Sequence, residues 1–113
     1  MYDKEYLYVG HYVDKQGNYV LKIGTTNDLK RRQAEHTRNY QRAKTNTLPK
    51  GENFVYDWHL PLSKYNTLRY EDKTRKQWQE EGIGQFVRND RFLCRQKPTQ
   101  VTVTIKKTYT ITL

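Results

Sequence analysis

Two runs rich in aromatic and β-branched residues, 6–13 and 19–25, flank the cluster Asp14-Lys15-Gln16-Gly17-Asn18, and Asn27-Asp28-Leu29 follows directly. This order leaves the chain few ways to begin. Asp, Gly and Asn between two strand-forming runs predict a β-hairpin, because these residues tolerate the backbone angles that a tight reversal needs. Asn27 is expected to cap a helix whose first turn holds Asp28, favourable at the positive end of the dipole, and which runs through Leu29, Arg32 and His36.

Residues 37–51 are polar and basic, and they predict a fraying helix end that runs into a loop. Phe54, Tyr56 and Trp58 alternate with smaller or polar residues, which predicts a third strand ending at Pro61. Ser63 or Asn66 is expected to cap a second helix that reaches Glu81 and stops at Gly82, with Leu68, Glu71, Arg75 and Trp78 near one face. Residues 85–87 and 91–95 read as strands around Asn89-Asp90, and 101–113 alternates at strand spacing, with Lys106-Lys107 as a turn or edge guard.

The expected fold class is therefore α+β: a small, mainly antiparallel sheet with flanking helices in a β-β-α-β-α core, plus C-terminal strands. With 113 residues the chain reads as one domain, 1–113, that must recognise and act with one surface. Lys and Arg outnumber Asp and Glu by 21 to 12, and the net charge of +9 suits a polyanionic partner. A single cysteine, Cys94, rules out an intramolecular disulfide and a cysteine-based zinc site. His11, His36 and His59 form no convincing metal cluster. No apolar run approaches a membrane span, and the chain reads as soluble and cytoplasmic.

Tyr6-Leu7-Tyr8, followed by Lys22-Ile23-Gly24-Thr25-Thr26-Asn27-Asp28-Leu29-Lys30-Arg31-Arg32-Gln33-Ala34-Glu35-His36, resembles the GIY-YIG nuclease superfamily. That family carries two short tyrosine-bearing strand motifs and then a stretch of the form Thr-x-Asp-Leu-x-x-Arg-x-x-x-His. Gly24, Thr25, Asp28, Leu29, Arg32 and His36 fall at family spacing. Tyr6 stands where the family has Gly, and Lys22 replaces the second tyrosine, a form associated with a phage and large-DNA-virus branch.

The resemblance implies a metal-dependent DNA endonuclease that hydrolyses phosphodiester bonds. In it Tyr8 serves as general base, Arg32 pairs with a non-bridging phosphate oxygen, and His36 orients the site or acts as an auxiliary acid-base group. Lys22 places a cation near the nucleophile. Glu71, in Leu68-Arg69-Tyr70-Glu71, is the implied ligand to Mg²⁺, with Mn²⁺ able to substitute. Asn89 is a looser candidate for the family's late polar residue. Arg31, Arg38, Tyr40, Arg42, Lys44 and Lys50 are expected to contact the nucleic acid, read as double-stranded DNA, and one site per chain leaves room for a homodimer. The alternative is a catalytically weakened module of the same fold that binds nucleic acid without cutting.

Overall fold

The computed structural model describes residues 4–87 and 91–113. The first hairpin forms as expected, from β1 (Lys4–Val13) and β2 (Tyr19–Thr26), and leads into helix α1 (Leu29–Gln41). Strand β3 (Val55–Ser63) and helix α2 (Lys64–Glu81) follow, then β4 (Gln85–Val87), β5 (Arg91–Cys94), β6 (Gln100–Thr104) and β7 (Thr108–Thr112). A five-stranded antiparallel sheet has the order β3-β1-β2-β5-β4, and β6 and β7 form a separate two-stranded sheet. The expected α+β class holds.

Because successive side chains on a strand point to opposite faces, β1 and β2 sort their residues into two sets. Leu7, Val9, Leu21 and Ile23 join Trp78 of α2, Phe92 of β5, and Val101, Val103 and Ile111 of the small sheet in one buried cluster. The Trp78 indole N–H donates to the Thr102 carbonyl at 2.9 Å, which ties α2 to β6. Truncating a buried tryptophan of this kind costs about 3–5 kcal/mol. The opposite set, Tyr8, Gly10, Tyr12, Val20, Lys22 and Gly24, lies under α1. The two helices therefore cover opposite faces of the large sheet.

Several boundaries differ from expectation, each for a local reason. The side chain of Asp28, not Asn27, caps α1 by accepting from the Arg31 N–H at 3.0 Å, while Asn27 accepts from the Arg31 guanidinium at 2.9 Å. Strand β3 continues through Pro61 to Ser63, because it is the edge strand and an edge strand tolerates a missing N–H donor. Leu68 is exposed, and the inward stripe of α2 is Thr67, Thr74 and Trp78, with Glu71 half-buried on the same line. Ser63 caps α2, and Gly82, in the left-handed region at φ 71°, ends it as expected. The C-terminal run splits at residues 105–107, where Lys106-Lys107 forms the turn of the second hairpin.

Candidate functional site

Tyr8 lies directly opposite Gly24 in the β1–β2 pair, and its ring crosses the glycine so closely that a Cβ there would overlap the phenolic oxygen. The glycine of Lys-Ile-Gly is thus explained by space rather than by backbone angle. Gly10, further along β1, makes room in the same way, since a Cβ there would strike the Phe54 ring. Together the two glycines make room between the sheet and α1 for the Tyr8 and Phe54 rings, which meet edge to face at 69°.

The Tyr8 hydroxyl is 2.6 Å from His36 Nε2, and the Arg32 guanidinium lies near enough to act on the phenol. The Arg32 charge beside the phenol favours the arrangement in which the phenolic oxygen faces the cation and its hydrogen goes to His36. In that arrangement Nε2 is the acceptor and the imidazole proton sits on Nδ1. Burial pushes the His36 pKa down to about 3, and the nearby cations Lys22 and Arg32 push the same way. The ring is neutral at physiological pH. Burial raises the Tyr8 pKa well above the usual phenol range, against a smaller opposing pull from Arg32. Tyr8 is fully buried and protonated.

Arg32 connects this buried pair to solvent. Its side chain is 39 % exposed and donates to Glu35 Oε1 at 3.0 Å. It also lines a polar cavity of about 210 Å³ at the end of the sheet, shared with Glu5, Thr25, Thr26, Asn27 and Arg31. Lys22, although on a strand of a basic protein, is buried beneath α1 and sits between Gly10 on β1 and Arg91 on β5. It belongs with Tyr8, Arg32 and His36.

Sequence reasoning missed the aromatic frame that holds these groups. The Tyr56 hydroxyl donates to the Leu29 carbonyl at 2.7 Å, and its ring meets Tyr8 edge-on at 5.0 Å. Burial raises its pKa to about 12. His36, Tyr40 and Tyr12 stack in a column, with centroids 5.1 and 4.9 Å apart, and Arg91 closes it by lying over Tyr40 and donating to the Tyr12 hydroxyl at 2.6 Å. The alternation of Phe54, Tyr56 and Trp58 signals a strand, but nothing local signals which ring turns toward Tyr8. Tyr40, expected to contact nucleic acid, is buried in this column and cannot present a face to a base; helical spacing from His36 puts it inward. Arg31, Arg38, Arg42, Lys44 and Lys50 are exposed as expected.

Glu71 stands apart. It lies on the inward side of α2, on the sheet face opposite α1, and does not line the Arg32 cavity. One active face shared by the hairpin and both helices is therefore not what the chain builds. Both helices do start at the same sheet end, since Thr26 pairs with Tyr6 and Ser63 with Lys4, so the two faces meet round that end. Among the described residues no group of three or more His, Cys, Asp or Glu side chains is arranged to hold a metal. A site with fewer protein ligands, completed by substrate oxygens and water, is the kind that suits a hard cation. Asn89 lies outside the described residues. No helix among the described residues is long and apolar enough to cross a membrane.

Residues 5–81 match the family model of the T5orf172 domain. No curated protein and no solved structure matches the chain.

Proposed function

Because the chain belongs to the T5orf172 domain family, a phage-associated domain linked to the GIY-YIG/HNH-like endonucleases, we propose that it is a metal-dependent DNA endonuclease of GIY-YIG type. The observation that carries this reading is Arg32: one guanidinium lies beside the buried Tyr8–His36 pair and also borders an open polar cavity. Its planar fork suits a phosphate oxygen. Thr25, Thr26 and Arg31 border the same cavity and supply further donors. Tyr8, behind the Arg32 guanidinium, is the base candidate, and its hydroxyl is 2.6 Å from a neutral acceptor on His36. Arg32 supplies the positive charge that favours a phenolate, against the burial that opposes it. Glu71 is the residue that would hold Mg²⁺ or Mn²⁺; reached from the Arg32 cavity round the sheet end, such an ion would neutralise charge on a phosphate brought to that end.

A second reading, binding without cutting, is favoured by the full burial of Tyr8 and by the position of Glu71 across the sheet from Arg32. Supercoiled plasmid with Mg²⁺, against an EDTA control, separates the two. The endonuclease reading expects nicked circles ahead of linear product, because each chain carries one site and a homodimer is needed for a concerted double cut. It also expects that Arg32→Ala lowers the rate about a hundredfold or more and that Glu71→Ala abolishes it while DNA binding persists. Salt-sensitive binding with no nicking in either Mg²⁺ or Mn²⁺ would establish the binding module instead.

A further inference from the structure

A second basic surface lies on the other face of the sheet, away from α1. The start of α2, the end of β3 and the β6–β7 turn enclose a groove of about 580 Å³, within the range of about 300–1,000 Å³ typical of pockets that take organic ligands. Its floor is apolar, from Leu60, Leu62 and Ile105, and its rim carries Arg69, Lys106 and Lys107. Among the described residues no carboxylate lines it. Two tyrosines stand in it with cations at their faces: Lys107 Nζ is 4.9 Å from the Tyr109 centroid, and the Arg69 guanidinium is 5.7 Å from that of Tyr70.

Rings, flexible cations and an apolar floor are the features with which proteins hold single-stranded nucleic acid. Phosphates take the cations and unstacked bases take the ring faces. A lysine resting on a partly exposed ring is a weak contact that a base displaces, and the displaced ammonium is then free to meet the adjacent phosphate. The location of the groove points the same way. Leu62, in the groove, pairs across β1–β3 with Glu5, which borders the Arg32 cavity. Paired strands lie about 4.8 Å apart, so groove and cavity meet at one end of the sheet.

We propose that this groove binds a single strand of nucleic acid, taking nucleotides that flank the phosphate held at Arg32. The inference rests on the reading of the chain as nucleic-acid-directed, but it does not require that the chain cuts. It is tested with a fluorescently labelled single-stranded oligonucleotide of about 12 nucleotides, by anisotropy in EDTA. The variant Lys106→Glu/Lys107→Glu changes two exposed turn residues and removes the Lys107 ammonium from the Tyr109 face, and Lys15→Glu/Lys97→Glu makes the same charge change at exposed positions toward the other end of the sheet. The groove variant is expected to weaken strand binding tenfold or more, and the control about twofold or less. Photocrosslinking with a 5-iodouridine oligonucleotide is expected to label Tyr70 or Tyr109, and thermal melts check that both variants fold. Equal losses in the two variants, unchanged affinity in the groove variant, or crosslinks confined to α1 would overturn the proposal. So would inorganic phosphate or a mononucleotide competing as strongly as the strand. Plasmid nicking is scored separately: nicking with no groove effect removes this proposal alone, whereas a groove effect without nicking removes only the endonuclease reading.

Discussion

His36 makes acid stability a property of the site itself. Its folded pKa, about 3, lies below the ordinary value of 6.5 because of burial first and the Lys22 and Arg32 cations second. As pH falls past 6.5 the unfolded chain takes up a proton that the folded chain refuses until about pH 3. The stability this residue contributes is thus complete above pH 6.5 and drains away below it. Between pH 7.5 and 4.5 the loss is expected to be about 2–3 kcal/mol, read as a fall in urea unfolding free energy. His36→Gln, which keeps an acceptor for Tyr8, should flatten that fall; an undiminished pH slope in the variant would put the acid sensitivity elsewhere. Glu35 offers a residue-scale test of a different kind. Its carboxylate engages Arg32 at 3.0 Å and reaches Arg31 at 3.8 Å, so it competes with any phosphate for the same guanidinium. Glu35→Gln is expected to tighten DNA binding in EDTA about two- to fivefold, and weaker binding would show that Glu35 aligns Arg32 rather than occupying it.

At the scale of elements, the β1–β2 turn and the loop after α1 are locked together by one carboxylate. Asp14 is buried and accepts from the Gln16 and Asn18 amides at 3.0 and 2.8 Å and from the Asn18 and Asn46 side chains at 3.2 and 3.0 Å. Burial alone would raise its pKa, but these hydrogen bonds outweigh it and hold the group below the usual carboxylate value. Asp14→Ala is expected to cost about 2–4 kcal/mol in a thermal melt and to speed amide exchange at Leu48, whose N–H donates to Tyr40. Retained protection at Leu48 would show that the loop holds without Asp14. The hairpin, the Gly82 stop of α2 and the grouping of Lys22, Arg32 and His36 were legible because strand alternation, caps and motif spacing are written in local order. The Asp14–Asn46 tie was not, since it joins residues 32 positions apart. Nor was the packing face of α2: Leu68 looked like a core residue by type, but Thr67 and Thr74 take the inward positions and Leu68 falls outside them. Gly24 was legible as part of a motif, whereas its reason, the Tyr8 ring across it, needed the register.

At the scale of the whole molecule, the sheet separates two basic surfaces that carry different consequences for salt. Arg31, Arg38, Arg42, Lys44 and Lys50 are exposed on or just beyond α1, while Arg69, Lys106 and Lys107 line the groove on the opposite face. A rigid duplex can lie along only one of these, and the outward side of α1 has the longer run of cations. Each phosphate neutralised on duplex DNA releases condensed counterions and contributes about −0.9 to the slope of log K against log salt. If all five α1-side cations engage, the slope is expected to be about −4 to −5, and Arg38→Ala/Arg42→Ala should reduce its magnitude by about 2. Lys106→Glu/Lys107→Glu should leave the duplex slope nearly unchanged. Binding isotherms across a salt series on one hairpin duplex measure all three. If the groove variant flattens the duplex slope as much as the α1 variant does, the duplex must reach round the sheet end, and the assignment of duplex to one face and single strand to the other fails.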